Sequence, residues 1–112
     1  MTYQFKLSLE AERDLHDIFE YTLKNFGQHQ YWKYRDVLKQ AIELIQSDPY
    51  NIASQERTKL DSEARTYNIK RPSHPVSHFL LYRVNEGEKV VELARVLHKS
   101  IDIKRQLPED FK

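Results

Sequence analysis

Ser8-Leu9-Glu10-Ala11-Glu12-Arg13-Asp14-Leu15-His16-Asp17-Ile18-Phe19-Glu20-Tyr21-Thr22-Leu23-Lys24-Asn25-Phe26-Gly27 is the stretch from which the fold can be read. The core-facing positions Ala11, Leu15, Ile18, Phe19, Thr22 and Phe26 recur at the spacing of one helix face. Ser8 fits an N-cap, because its hydroxyl can take a free amide of the first turn. Glu10, Glu12 and Asp14 suit the positive end of the helix dipole. Gly27, one of only two glycines, stands where a left-handed C-cap residue belongs. The spacing therefore predicts a helix over residues 9–26. A second helix begins near Gln28, with Tyr31, Tyr34, Leu38, Ala41, Ile42 and Ile45 on one face. Trp32, Val37 and Leu44 broaden that stripe, and Pro49 ends it. Two long helices with so short a connection must fold back as an antiparallel hairpin.

Outward from the hairpin the pattern changes to β. Tyr3–Leu7 alternates apolar and polar, as a half-buried strand does. Pro49–Glu63 is polar and irregular and reads as loop with at most a short helical turn. Arg65–Lys70 alternates again, and Pro72 and Pro75 interrupt the chain before the apolar run His78–Val84. Asn85-Glu86-Gly87-Glu88 reads as a hairpin turn in which Gly87 supplies the positive φ. Lys89–Leu97 is the next strand, and a short helix over Ile101–Leu107 leads to a tail from Pro108. The expected class is α+β in the order βααβββ: an N-terminal strand, then an antiparallel helical hairpin packed on a small antiparallel sheet. One domain is expected over residues 1–112, with the hairpin at 9–47, the main sheet at 65–98 and a C-terminal segment at 99–112.

Composition bounds the function. The 112 residues leave room for one domain. Leu, Ile, Val and Phe make up 30 of the 112, enough for a core. No cysteine is present, which excludes disulfides, thiolate metal sites and cysteine nucleophiles. No run approaches the length of a membrane span, and the first residues lack a signal-peptide pattern, so a cytoplasmic protein is expected. Net charge is +1, but it is divided unevenly. Residues 1–64 hold eight basic and eleven acidic side chains, and residues 65–112 hold ten and six. A basic C-terminal half suits nucleic acid or an acidic protein surface. No P-loop, dinucleotide fingerprint, nucleophile elbow or metal-ligand spacing occurs, and no cofactor is expected.

The late strands are apolar on both faces. In residues 89–98, strict alternation puts Val91, Leu93, Arg95 and Leu97 on one side, and Val90, Ala94, Val96 and His98 with Glu92 on the other. Two helices cover only one face, so the C-terminal segment, a second copy or a partner chain is expected on the other. The same alternation sends Arg95 and His98 to opposite faces, so that only a bulge would bring them together. Arg95 among apolar neighbours must pair or reach solvent; Asp102, Glu92 or a partner carboxylate are its expected mates. His78 and Tyr82, four apart in a strand, share a face.

These residues carry a resemblance. The order βααβββ over about 100 residues resembles the ParE/RelE toxins of type II toxin–antitoxin modules, ParE (the plasmid stabilisation proteins) above all. Leu7–Ile18 looks like that family's strand end followed by "A…DL…I". Tyr21-Thr22 and Phe26-Gly27 look like its "YT…(W/F)G", and Tyr34, Leu38 and Asp48-Pro49 fit its second helix and the end of it. His78–Arg83 looks like "H.I.YR", and Arg95–Asp102 looks like "RVLH.SMD", the most specific piece. Ala64 stands where the family often has glycine before Arg65, and residues 70–77 are longer than its usual turn.

The resemblance implies a toxin that binds DNA gyrase, stabilises the cleaved gyrase–DNA complex and is neutralised by a ParD-like antitoxin, whose C-terminal arm packs on toxin grooves. Its target-binding candidates are Arg95, His98, Asp102 and Arg83. Its antitoxin-binding candidates are Leu15, Phe19, Trp32, Tyr82, Val91 and Leu93. An alternative is a RelE-like ribosome-dependent mRNA endoribonuclease, with Arg65, His78, Arg95 and His98 supplying base, acid and phosphate contacts. Such nucleases are usually more basic than a chain of pI 8.0. A third reading is a toxin-fold module that only binds an antitoxin.

Overall fold

The computed structural model describes residues 3–58, 60–69 and 78–98. The elements are β1 (Gln4–Leu7), α1 (Leu9–Ser47), β2 (Ser54–Glu56), β3 (Ala64–Asn68), β4 (His78–Asn85) and β5 (Val90–His98). They form one five-stranded sheet in the order β1-β5-β4-β3-β2. β2 to β5 make an antiparallel meander, and β1 joins its far side parallel to β5. The predicted helix over 101–107, the turn over 70–77 and Asp102 lie outside the described residues.

α1 comprises two helical limbs that meet at Gly27, whose φ of 83° and ψ of 176° leave helical space. In a straight helix Phe19 and Tyr34 would lie roughly 22 Å apart, at about 1.5 Å per residue. Their rings are 6.5 Å apart, and the Phe19 and Tyr31 rings 5.8 Å. The limbs 9–26 and 28–47 are therefore the antiparallel hairpin expected from the spacing. Gly27 supplies the positive φ that its position predicts. Ser8 caps the helix as expected: its Oγ accepts from the Ala11 amide at 3.0 Å. The same hydroxyl donates to the Ala94 carbonyl at 2.7 Å, tying the helix start to β5.

The main core lies between hairpin and sheet. Ala11, Tyr34, Leu38, Ala41 and Ile45 meet Leu80, Tyr82, Val84, Val91, Leu93 and Val96 there. Each fully buried Leu, Ile or Val contributes roughly 1.5–3 kcal/mol. On the opposite sheet face Ala64, Phe79, Leu81, Ala94 and Leu97 form a second cluster, with Leu60 packed against it. All five are at most 5% exposed in the single chain. The chain itself buries these side chains, and the C-terminal segment, one of the three expected covers, lies outside the described residues.

Three local features differ from the sequence reading. The segment read as loop contains β2, a three-residue polar edge strand paired with β3 and too short to show alternation. The β4–β5 turn takes its positive φ at Lys89 (57°) rather than at Gly87. The loop spans four residues between Asn85 and Val90, and its left-handed position falls at the end. Last, Leu81 pairs with Arg95 while Tyr82 pairs with Leu93, so β5 carries an extra residue at Ala94. This bulge breaks strict alternation. Val91, Leu93 and Val96 all face the hairpin, and Ala94 and Leu97 face away.

Candidate functional site

β1 stops at Leu7, whereas β5 continues to His98. The edge of β5 beyond Leu93 would therefore present bare backbone groups. The first turns of α1 take them up. Ser8 Oγ serves the Ala94 carbonyl, and Asp14 Oδ2 accepts the Val96 amide at 2.9 Å. Asp14 also accepts two bonds from Arg95, at 2.7 and 3.0 Å, in a bidentate pair. The two side chains are only 17% and 16% exposed. Arg95 is thus held by Asp14, a mate its strand setting did not suggest, while Asp102 lies outside the described residues. The bond to Asp14 raises its pKa further and keeps it charged throughout. Asp14 sits three residues beyond buried Ala11 and four before Ile18, on the inward stripe. A carboxylate on that stripe is the signal that could have exposed the pair, since a buried charge must find a mate.

The other two candidate arginines, Arg83 and Arg65, are likewise engaged. Arg83 meets three carboxylates: Asp61 at 3.3 Å, Glu63 at 3.8 Å and Glu92 at 3.9 Å. Arg65 donates to Ser54 Oγ at 2.7 and 3.0 Å, lies 3.7 Å from Glu56 and stacks over the Tyr50 ring. At this end of the sheet Glu86 accepts from Tyr3 and Tyr50 at 2.9 and 2.7 Å and pairs with Lys89. Lys89 and the two phenols hold the Glu86 carboxyl down at about 2, and burial chiefly pushes Tyr50 upward.

The two histidines meet at the opposite end. His78 and His98 are direct cross-strand partners, with ring centres 5.6 Å apart. Tyr34 from the hairpin, fully buried, places its hydroxyl 2.6 Å from His78 Nδ1. The bulge brings His98 to the hairpin side with His78, while the Arg95 guanidinium goes to Asp14. Arg95 and His98 therefore belong to different groups, as expected, though strict alternation does not describe the strand.

Of the antitoxin-binding candidates, Leu15, Phe19 and Trp32 line an open groove across the hairpin with Arg35, Lys39 and Ile42. Trp32 is 60% exposed, and Arg35 stacks over the Phe19, Tyr31 and Trp32 rings. Tyr82, Val91 and Leu93 are instead sealed between hairpin and sheet with no exposure, so a partner cannot reach them. Tyr82 donates its hydroxyl to the Pro49 carbonyl, and burial raises its pKa. Among the described residues no helix is long and apolar enough to cross a membrane.

The molecule is thus a helical hairpin, with an open groove lined by aromatic, cationic and acidic side chains, on a mixed five-stranded sheet. The comparisons then give its family. The model of the ParE toxin of the type II toxin–antitoxin system parDE matches residues 5–103, and the chain belongs to that family, as a ParE-type toxin. Toxin ParE1 of Mycobacterium tuberculosis is 29% identical over 111 residues, covering 96% of this chain and 100% of that protein. Among solved structures, the chromosomal ParDE system of P. aeruginosa superposes with a TM-score of 0.65 at 20% identity, over 87% of this chain and 96% of that one. A free mutant of the E. coli toxin RelE gives 0.56 at 23%, over 96% and 100%. The RelBE2 toxin–antitoxin complex of M. tuberculosis gives 0.58 at 19%, over 88% and 100%. At these identities the structures speak for the α+β fold.

Proposed function

We propose that this ParE-type toxin inhibits DNA gyrase by stabilising its cleaved complex with DNA, and that a ParD-like antitoxin neutralises it. The observation that carries this is the family match across residues 5–103, with an end-to-end likeness to a ParE1 toxin. The arginines add support. Arg65, Arg83 and Arg95 each already face a carboxylate, which lowers the charge they can offer a phosphate backbone. That favours binding inhibition over RelE-like mRNA cleavage. The single domain proposed over residues 1–112 acts in the cytoplasm, where gyrase works.

Purified toxin should block gyrase supercoiling and accumulate cleaved DNA, with mRNA on programmed ribosomes left intact. Intact supercoiling with mRNA cut at the ribosome would establish the nuclease instead. Silence in both assays, with antitoxin still bound, would leave the module without toxicity. His98 and Asp102 are proposed to contact the target. A chain ending at Leu97 should lose toxicity while keeping antitoxin binding, and killing by that chain would refute the contact.

The antitoxin arm is proposed to lie in the hairpin groove. An exposed tryptophan at the centre of an aromatic cluster has the character of an interface hot spot. Trp32→Ser should weaken antitoxin binding by about thirtyfold or more, the usual mark of such a residue. Gyrase inhibition should persist. Unchanged antitoxin affinity would move the interface elsewhere.

A further inference from the structure

We propose that the outer edge of β1 takes up one more strand, an extended apolar–acidic–apolar segment of the antitoxin arm. The inference rests on the antitoxin reading above. β1 ends the sheet and pairs only with β5. The Gln4 and Ser8 amides donate inward, to the Lys89 and Leu93 carbonyls at 2.8 and 3.0 Å. With a period of two along the strand, Phe5 and Leu7 turn their N–H and C=O groups outward. At Tyr3 the outward positions are already closed. Its amide donates to the Gln46 carbonyl at 3.2 Å, and its carbonyl accepts from Gln46 Nε2 at 2.8 Å. Phe5 and Leu7 have no such mate among the described residues. Their outward backbone groups form a template for a further chain.

The side chains of β1 fix what that chain must carry. Tyr3 and Phe5 pack against the main core, and Leu7, on the same side of the strand, is 41% exposed. Lys6 points to the other face and opens a row of charges across the sheet. It stands opposite Glu92, and Glu92 stands opposite Arg83, which lies 3.9 Å from Glu92 and 3.3 Å from Asp61. The sign alternates along this row, and its outermost member is the Lys6 cation. An antiparallel strand bonded to Phe5 and Leu7 sets its middle residue directly against Lys6, with Cα atoms about 4.5 Å apart. A carboxylate there continues the alternation, because opposite charges facing each other across strands attract. The residues on either side face Phe5 and Leu7, so they are apolar. A second copy does not fit the place. Two-fold pairing through the same groups would set Lys6 against Lys6, and like charges directly opposite destabilise a strand pair.

The hairpin groove points to the antitoxin arm as the occupant. Glu43 lines the groove, and Gln46, three residues on along the same limb, holds Tyr3 at the start of the edge. An arm leaving the groove past Glu43 therefore meets β1 next. Main-chain bonds then add affinity, and the acid opposite Lys6 sets the register.

The test compares amide hydrogen exchange in the full chain, alone and in complex with the co-expressed ParD-like antitoxin. The Phe5 and Leu7 amides should slow by roughly tenfold or more in the complex. The Gln4 and Lys6 amides, already bonded within the sheet, should change little. Leu7→Pro deletes one outward N–H and leaves the ladder to β5 intact, as proline is tolerated at a sheet edge. It should weaken antitoxin binding about fivefold relative to Leu7→Ala, the worth of one hydrogen bond. Lys6→Glu should weaken binding about threefold or more, by setting like charges opposite each other. Unchanged exchange at Phe5 and Leu7 in the complex, or full affinity in Lys6→Glu, would overturn the strand. Weakening by Trp32→Ser without slowed amides would keep the arm in the groove and remove the strand. A toxin that binds no antitoxin would overturn both readings. The exchange measurement uses the unaltered chain, so the test stands even if a variant does not fold.

Discussion

Asp14 and Glu86 are two carboxylates with the same task and opposite surroundings. Each ties segments more than eighty residues apart: Asp14 reaches Arg95 and the Val96 amide, and Glu86 gathers Tyr3, Tyr50 and Lys89. The Asp14 pair is largely shielded beneath the helix start, whereas Glu86 and Lys89 are about half exposed. Coulomb attraction is screened at the surface and preserved inside. The number of bonds a carboxylate makes therefore says little about what it contributes. Its solvent exposure says more.

Removing the shielded hub should have the largest effect. Asp14→Ala removes the bidentate mate of Arg95 and the acceptor of the Val96 amide. A loss of about 2–4 kcal/mol is expected in urea unfolding, below the full range for a buried pair because some solvent reaches it. A loss within 0.5 kcal/mol would show that the two hubs are alike after all. The double change Asp14→Leu with Arg95→Met should cost less than Asp14→Ala alone, since no uncompensated charge remains. A double variant less stable than the single one would mean that the bond to Val96, not the charge, dominates.

Ser8→Ala comes next, at about 1 kcal/mol, because it removes both the helix cap and the tie to the Ala94 carbonyl. Glu86→Gln should have the smallest effect at neutral pH, and 0.5 M salt should erase it while the Asp14→Ala loss persists. Acid titration sharpens the contrast. The Glu86 carboxyl, at about 2, lies below its ordinary 4.5, so its contribution is complete above 4.5 and is lost as pH falls toward 2. Glu86→Gln should flatten the stability profile in that window. An unchanged acid limb would remove Glu86 from the hub.

The hairpin was legible because everything it needs lies within a short window. Helical spacing, the Ser8 cap and one glycine mark both limbs and the reversal between them. Of the meander, β3, β4 and β5 were legible from strand patterning whereas β2 was not, and the motif from Arg95 to Asp102 pointed to the toxin family. Candidate site residues fared differently. Leu15, Phe19 and Trp32 lie on an open groove, but Tyr82, Val91 and Leu93 are core, since alternation marks an apolar face without saying whether it is covered.

The sequence by itself determined the helical hairpin, four of the five strands and the family, because periodicity, caps and motifs are properties of neighbouring residues. Tertiary structure alone decided which charges and rings meet. The bulge at Ala94 reset one strand by a single residue, and with a side-chain period of two that moves every later residue to the other face. That shift put His98 beside His78 and Val96 in the core, and the helix start closed over the open edge of β5 through Ser8 and Asp14. Contacts between residues about eighty positions apart depend on register and packing, which no local window contains.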